Sequence, residues 1–178
     1  MSRRTFVLLN AVLAAALLAG CGGSDGDHNA ADVTFATDMI PHHRQAVEMA
    51  DFAESRSSNP EVLELAAGIR DAQDPEIATM SGWLEEWGEP RPEEMDDMAR
   101  GGMPGMMSEE QLAELEAATG TTFDEQFLEM MIDHHTGAVQ MAQTEQADGQ
   151  SADAIALAEQ IEESQTAEIA TMEELLAA

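Results

Sequence analysis

The chain contains no lysine, no tyrosine and one cysteine in 178 residues, and its seven basic residues, all arginine, face 36 acidic ones. A single cysteine excludes a disulfide framework, so the core must hold without covalent staples. A formal charge of -29 at pH 7 excludes nucleic acid and anionic lipid surfaces as partners, because the like-charge field repels both. No stretch combines aromatic or β-branched enrichment with period-two alternation, which excludes a sheet. The acidic residues are spread along the whole chain. They suit a surface solvated in a salty or dense exterior, and they would also concentrate cations.

The one long uncharged run is Phe6 to Leu18, preceded by Arg3 and Arg4 and followed by Ala19-Gly20-Cys21. It is too short to span a bilayer well, and its layout is that of an export signal. Leu18-Ala19-Gly20-Cys21 resembles a bacterial lipobox, which makes Cys21 the expected lipidated first residue of the mature chain. Ser2-Arg3-Arg4-Thr5-Phe6 resembles a twin-arginine signal, and the general secretory route fits the same residues. Residues 1–21 are therefore read as signal peptide and 22–31 as a flexible tether with a solvated His28, leaving 32–178 to fold. That places the protein on the extracytoplasmic face of a bacterial membrane, attached by lipid alone.

The dominant feature is a repetition. Phe35 to Ala50, FATDMIPHHRQAVEMA, returns as FLEMMIDHHTGAVQMA at Phe127 to Ala142. The match runs on without a gap through Leu84 and Leu176, with 19 identities in 50 positions. Composition alone does not produce that, so the fold region is an internal duplication: repeat one over 32–88, a linker over 89–121 and repeat two over 122–178.

Each repeat reads as a pair of helices. The first should run from about Asp32 to Ser57 and the second from Pro60 to about Trp87, where Gly88-Glu89-Pro90 stops it. Ser108 with Gln111 signals a capping box for a short helix. Thr122 with Glu125 repeats the signal before a helix to about Ala147, and the last helix spans about Ala152 to Leu176. Pro41 and Pro75 should kink the first hairpin only, since repeat two has Asp133 and Ala167 there. One hairpin cannot bury its own apolar stripe, so the expected fold is all α: a four-helix bundle with a pseudo-two-fold axis and a crossover linker.

On a helical wheel Phe35, Met39, His42, His43, Ala46, Met49, Ala50 and Ala53 share an arc of roughly 120°. Both histidines therefore face the bundle interior or its rim, as do His134 and His135 after Met131. Met39, His42 and His43 can converge within about 6 Å of rise, whereas Met49 should lie in another layer about 10 Å along the axis. A lone core histidine or a methionine stripe is ordinarily packing. Two duplicated His-His pairs, each with a methionine one turn earlier, point instead to metal, because four imidazoles are costly to bury unsatisfied.

Ligand softness selects the metal. Glu-x-x-His would suit di-iron, but the third residue before His42 is Met39 and before His134 is Met131. Thioether with imidazole suits Cu(I), and by extension silver as Ag(I). On the second helices Gln73, Glu76 and Met80 recur as Gln165, Glu168 and Met172. The glutamines and glutamates are candidate partners for the histidine N–H groups, and the two methionines further soft ligands. The linker adds Met95, Met98, Met103, Met106 and Met107, either copper-capturing thioethers or loop anchors.

The doubled MI-x-HH-x-x-A-V-x-MA motifs, the QDPEIATMSGWL and SQTAEIATMEELL segments and the Met-rich crossover resemble domain of unknown function family 305. The resemblance covers Asp32 to Leu176. It implies a ferritin-like four-helix bundle in a secreted bacterial protein, with some copper-binding relatives. Residue by residue it implicates His42, His43, His134 and His135, with Met39, Met49, Met131 and Met141 as motif positions. The expected role is Cu(I) or Ag(I) sequestration, with a copper donor or acceptor protein as partner. A copper or carboxylate-histidine redox enzyme and a metal-free structural lipoprotein are the rival readings.

Overall fold

The computed structural model describes residues 26–92 and 103–178, and all regular structure among them is helical. Cys21, Met95 and Met98 lie outside the described residues. Five helices follow one another: α1 Ala30–Arg56, α2 Pro60–Trp87, α3 Glu109–Ala117, α4 Thr121–Asp148 and α5 Ala152–Leu176.

Local chemistry accounts for their ends. Asn29 caps α1 and closes a reciprocal box with Asp32, so the helix starts at Ala30, two residues before the expected Asp32. Asn59 caps α2 with Pro60 in its first turn, and Gly88, at φ 75°, ends it in the left-handed region. The Ser108–Gln111 box opens α3 as expected. The Thr122–Glu125 signal is not used: Gly120 occupies the N-cap of α4 and no side chain caps it. Gly120 N–H instead donates to the Arg56 carbonyl, tying the start of α4 to the end of α1. Both α1 and α2 continue through their internal prolines.

Two hairpins result, α1 with α2 and α4 with α5, and they meet chiefly along α1 and α4. The core is in two apolar clusters. Along α1 the residues Phe35, Ala36, Met39 and Ile40 belong to one and Ala46, Met49, Ala50 and Ala53 to the other. Along α4 the order reverses, with Phe127 and Met131 in the second cluster and Ala138 and Ala142 in the first. The two helices therefore run in opposite directions, and the residues between the clusters form one stratum across the molecule.

That stratum is polar. It holds His42, His43, His134 and His135, and on the outer helices Gln73 and Gln165, none more than 3 % exposed. Gln73 falls between Ile69 and Met80, and Gln165 between Ile161 and Met172, at the same boundary between clusters. Apolar packing above and below, at ~1.5–3 kcal/mol for each fully buried large side chain, offsets the cost of this layer.

Residues 26–29, the described residues ahead of α1, make contacts with the helices. His28 is half-buried and stacks on Trp87 with ring centroids 4.5 Å apart, and Gln150 Nε2 donates to the Gly26 carbonyl. An imidazole parallel to an indole removes apolar area from water, which a solvated histidine would not do.

Candidate metal centre

His42 and His134 are buried ring against ring, with centroids 3.8 Å apart and planes tilted by 41°. They occupy equivalent turns of antiparallel helices, so the reversal that divides the core also brings the two copies of the motif together. Burial, the neighbouring His43 and His135, and only partial relief from the Pro104 hydrogen bond push the His42 imidazole down to about 3. His134 is held well below its ordinary value of 6.5, first by burial and then by His42, His135 and His43. Both rings are neutral at physiological pH, the form in which imidazole ligates a metal.

Their hydrogen-bond partners fix which nitrogen is free. His43 Nε2 lies 2.7 Å from Glu76 Oε2, and His135 Nε2 lies 2.7 Å from Glu168 Oε2. His42 Nε2 lies 3.0 Å from the Pro104 carbonyl oxygen. Carboxylate and carbonyl oxygens only accept, so each Nε2 carries the proton and donates it. The Nδ1 atoms of all four histidines are buried and without a hydrogen-bond partner. His134 also lacks one at Nε2, with only a weak favourable interaction from the His42 backbone.

Glu76 and Glu168, the candidate partners for the histidine N–H groups, reach His43 and His135 from the second helix of each hairpin. The glutamines expected to share that role do not: Gln73 Oε1 and Nε2 and Gln165 Oε1 have no hydrogen-bond partner. They lie in the stratum without bonding the imidazoles.

The methionines sort by cluster. Met39 and Met80 are buried on one side of the stratum, with half-buried Met141 against them. Met49, Met131 and Met172 are buried on the other. Met141 also lines a cavity of about 450 Å³ with Phe35, Asp38 and Glu145. The linker methionine Met107 is 4 % exposed and belongs to the second cluster, so it has the packing role that the loop composition did not require. Among the described residues, no three His, Cys, Asp or Glu side chains converge as a ready-made metal site. A metal held at the Nδ1 atoms would take its remaining ligands from thioethers.

Some contacts at the stratum were not foreseen. Gln45 clamps Met107, donating from Nε2 to its carbonyl at 2.9 Å and accepting its N–H on Oε1 at 2.7 Å. Nothing in the repeat signals this, because the position equivalent to Gln45 is Gly137. The Pro104 carbonyl is equally invisible in the sequence, since a backbone acceptor has no side-chain identity.

A family model described as "Domain of unknown function (DUF305)" matches residues 32–176. The chain belongs to the DUF305 family. Solved DUF305 structures agree in fold. A Streptomyces coelicolor DUF305 protein described as secreted is 36 % identical over 83 % of this chain and 92 % of its own, with a TM-score of 0.76. A Deinococcus radiodurans DUF305 fragment is 34 % identical over 84 % and 97 %, also at 0.76. CopM in its Cu(II)-bound form is 32 % identical over 82 % and 95 %, at 0.72. CopM has also been solved with Cu(I) and with silver. No curated protein sequence matches the chain. No helix among the described residues is long and apolar enough to cross a membrane.

Proposed function

We propose that this DUF305 protein is a lipid-anchored extracytoplasmic protein that sequesters or buffers Cu(I), and Ag(I) with it, inside a ferritin-like four-helix bundle. The observation that carries the reading is the buried, uncharged pair His42 and His134, whose free nitrogens have no protein partner. Eight polar atoms of the stratum share that condition. At ~1–3 kcal/mol each if left unsatisfied, they would rival the ~5–15 kcal/mol that holds a whole domain together. A ligand that takes up the imidazole lone pairs would remove much of that cost.

The donor set fits a soft monovalent ion. Imidazole Nδ1 and thioether sulfur accept a low coordination number and favour Cu(I) over iron or manganese. Glu76, Glu168 and the Pro104 carbonyl would hold the rings of His43, His135 and His42 in the tautomer that presents Nδ1. His42, His43, His134 and His135 would be ligands, with Met39, Met80 and Met141 on one side and Met49, Met131 and Met172 on the other. The metal is cargo, held and not turned over. A donor or acceptor protein for copper completes the proposal. CopM, similar over nearly its full length, supports it through its copper and silver complexes.

Titrating the purified mature protein with Cu(I) against a competing chelator tests the reading. Retained copper that is lost when all four histidines become alanine supports it; no retention, or retention indifferent to those changes, removes it.

A second reading draws on Glu76 and Glu168. Carboxylates bonded to histidine are also the chemistry of redox bundles. It predicts oxygen consumption or Cu(I) oxidation above that of free copper. A metal-free structural role instead predicts a melting temperature that copper does not raise.

A further inference from the structure

The imidazoles are sealed: none of the four is more than 1 % exposed, so no ion reaches them unless part of the protein moves. On the helical sides, opening the stratum means separating α1 from α4 along their length. One described segment over the histidines is not helical. Met103 to Met107 crosses them as a strap, and three hydrogen bonds join it to α1: His42 Nε2–H to the Pro104 carbonyl, and the two between Gln45 and Met107.

The strap lies against the α4 backbone. Gly105, at φ 78°, is so close that a Cβ there would stand 2.6 Å from the Asp133 carbonyl oxygen and 2.9 Å from that of His134. A Cβ on Gly137 would stand 2.1 Å from the Pro104 carbonyl oxygen. Gln45 and Gly137 are equivalent positions of the two repeats. One copy carries the side chain that pins the strap, and the other lacks any side chain that would exclude it. The duplication has diverged at the position where the linker crosses.

We propose that the Met103–Met107 strap is the gate through which metal passes to and from the histidine stratum, and that Gln45 is its latch. This rests on the metal-binding reading of that stratum. The strap is the least costly part of the enclosure to displace, because lifting it breaks three hydrogen bonds and withdraws one buried side chain, Met107, while the helices stay paired. It carries soft donors across the opening: Met103 and Met106 are half-buried on it, and Met107 turns outward as it lifts. On closing, the Pro104 carbonyl again accepts the hydrogen bond from His42 Nε2–H and leaves Nδ1 toward the metal. Gln45 is a positioning residue, acting through the strap and not through the ion.

Stopped-flow uptake of Ag(I) by the full mature protein, and its release to a chelator, test the gate. In the unaltered protein the uptake rate should level off as Ag(I) rises, because opening limits it. Gln45→Ala should raise uptake and release together by about tenfold, the effect of one lost net hydrogen bond pair, with affinity moving less than either rate. Gln45→Glu, which keeps the acceptor for Met107 N–H, should fall between. Hydrogen exchange at the Met107 amide should speed up in Gln45→Ala. Faster Met107 exchange with unchanged Ag(I) rates would overturn the gate while leaving metal binding intact, and so would uptake that rises linearly with Ag(I) without levelling. Failure of the unaltered protein to take up Ag(I) at all would remove the metal reading and the gate with it.

Discussion

His42 and His134, equivalent residues of two copies of one motif, lie with their ring centroids 3.8 Å apart at the centre of the protein, and neither carries a proton charge at neutral pH. Such a contact is unfavourable for stability taken alone, since it leaves His42 Nδ1 and both ring nitrogens of His134 buried without a hydrogen bond. Replacing both residues by leucine should therefore stabilise the metal-free protein by roughly 1–3 kcal/mol in urea denaturation. The same variant should lose high-affinity Cu(I) binding. A double variant that is less stable than the parent would show that the imidazoles serve the fold.

Glu76 and Glu168 should matter to affinity more than to folding. Each is only partly buried, with its side chain 18 % and 22 % exposed, and each bonds a fully buried histidine. Glu76→Gln with Glu168→Gln removes the charge that steadies the Nε2–H tautomer. Cu(I) affinity should fall by roughly 10–100-fold in a chelator competition, with the helical circular dichroism unchanged. Unchanged affinity would reduce the carboxylates to surface partners.

Two glycines give opposite expectations from one kind of substitution. Gly137→Ala puts a methyl group into the strap backbone and should cost roughly 1–3 kcal/mol by overpacking. Gly68, inside α2 with nothing within 4 Å of an added Cβ, should gain about 0.5–1 kcal/mol as alanine. Thermal denaturation of the two single variants checks the pair, and equal effects would contradict the strap contact.

A carboxyl pair away from the stratum sets the alkaline side of stability. Asp32 accepts the backbone N–H groups of Asn29, Gln150 and Ser151, joining the start of α1 to the turn between α4 and α5. Glu145 faces it. Burial first, and then the adjacent Asp32 carboxylate, raise the Glu145 carboxyl to about 8, so in the fold it keeps its proton. Unfolded, it ionises near 4.5. The native state thus binds the extra proton between these values, and its stability falls as pH rises through them. The depressed His42 and His134 act the other way below about 6.5, where the unfolded chain binds protons that the fold refuses. Between pH 6.5 and 8 His42 and His134 no longer oppose the Glu145 effect. Stability should decline there in the parent and stay flat in Glu145→Gln, as urea midpoints across that range would show.

The sequence exposed what repeats and what alternates. Helix spans, the inward histidines and the duplicated methionines followed from period and offset, because a helix writes its buried face into its own residue order. Glu76 and Glu168 were legible as recurring residues, although the wheel of α1 could not show that they cross from the neighbouring helix. Gln45 was hidden because comparison of the copies rewards identity, and its role depends on Gly137 being different. Pro104 acts through its carbonyl, and Asp32 meets Glu145 across 113 residues of chain with no local pattern to announce it. Contacts made by backbone, or by one residue against a distant one, become visible only in three dimensions.

The central claim concerns single atoms, and nitrogen-15 magnetic resonance of the histidine side chains during Ag(I) titration reads them directly. The Nδ1 resonances of His42 and His134 should move on binding, while the Nε2 signals of His43 and His135 remain those of protonated nitrogens bonded to Glu76 and Glu168. Histidine spectra that stay unchanged while silver is retained elsewhere on the protein would contradict the account.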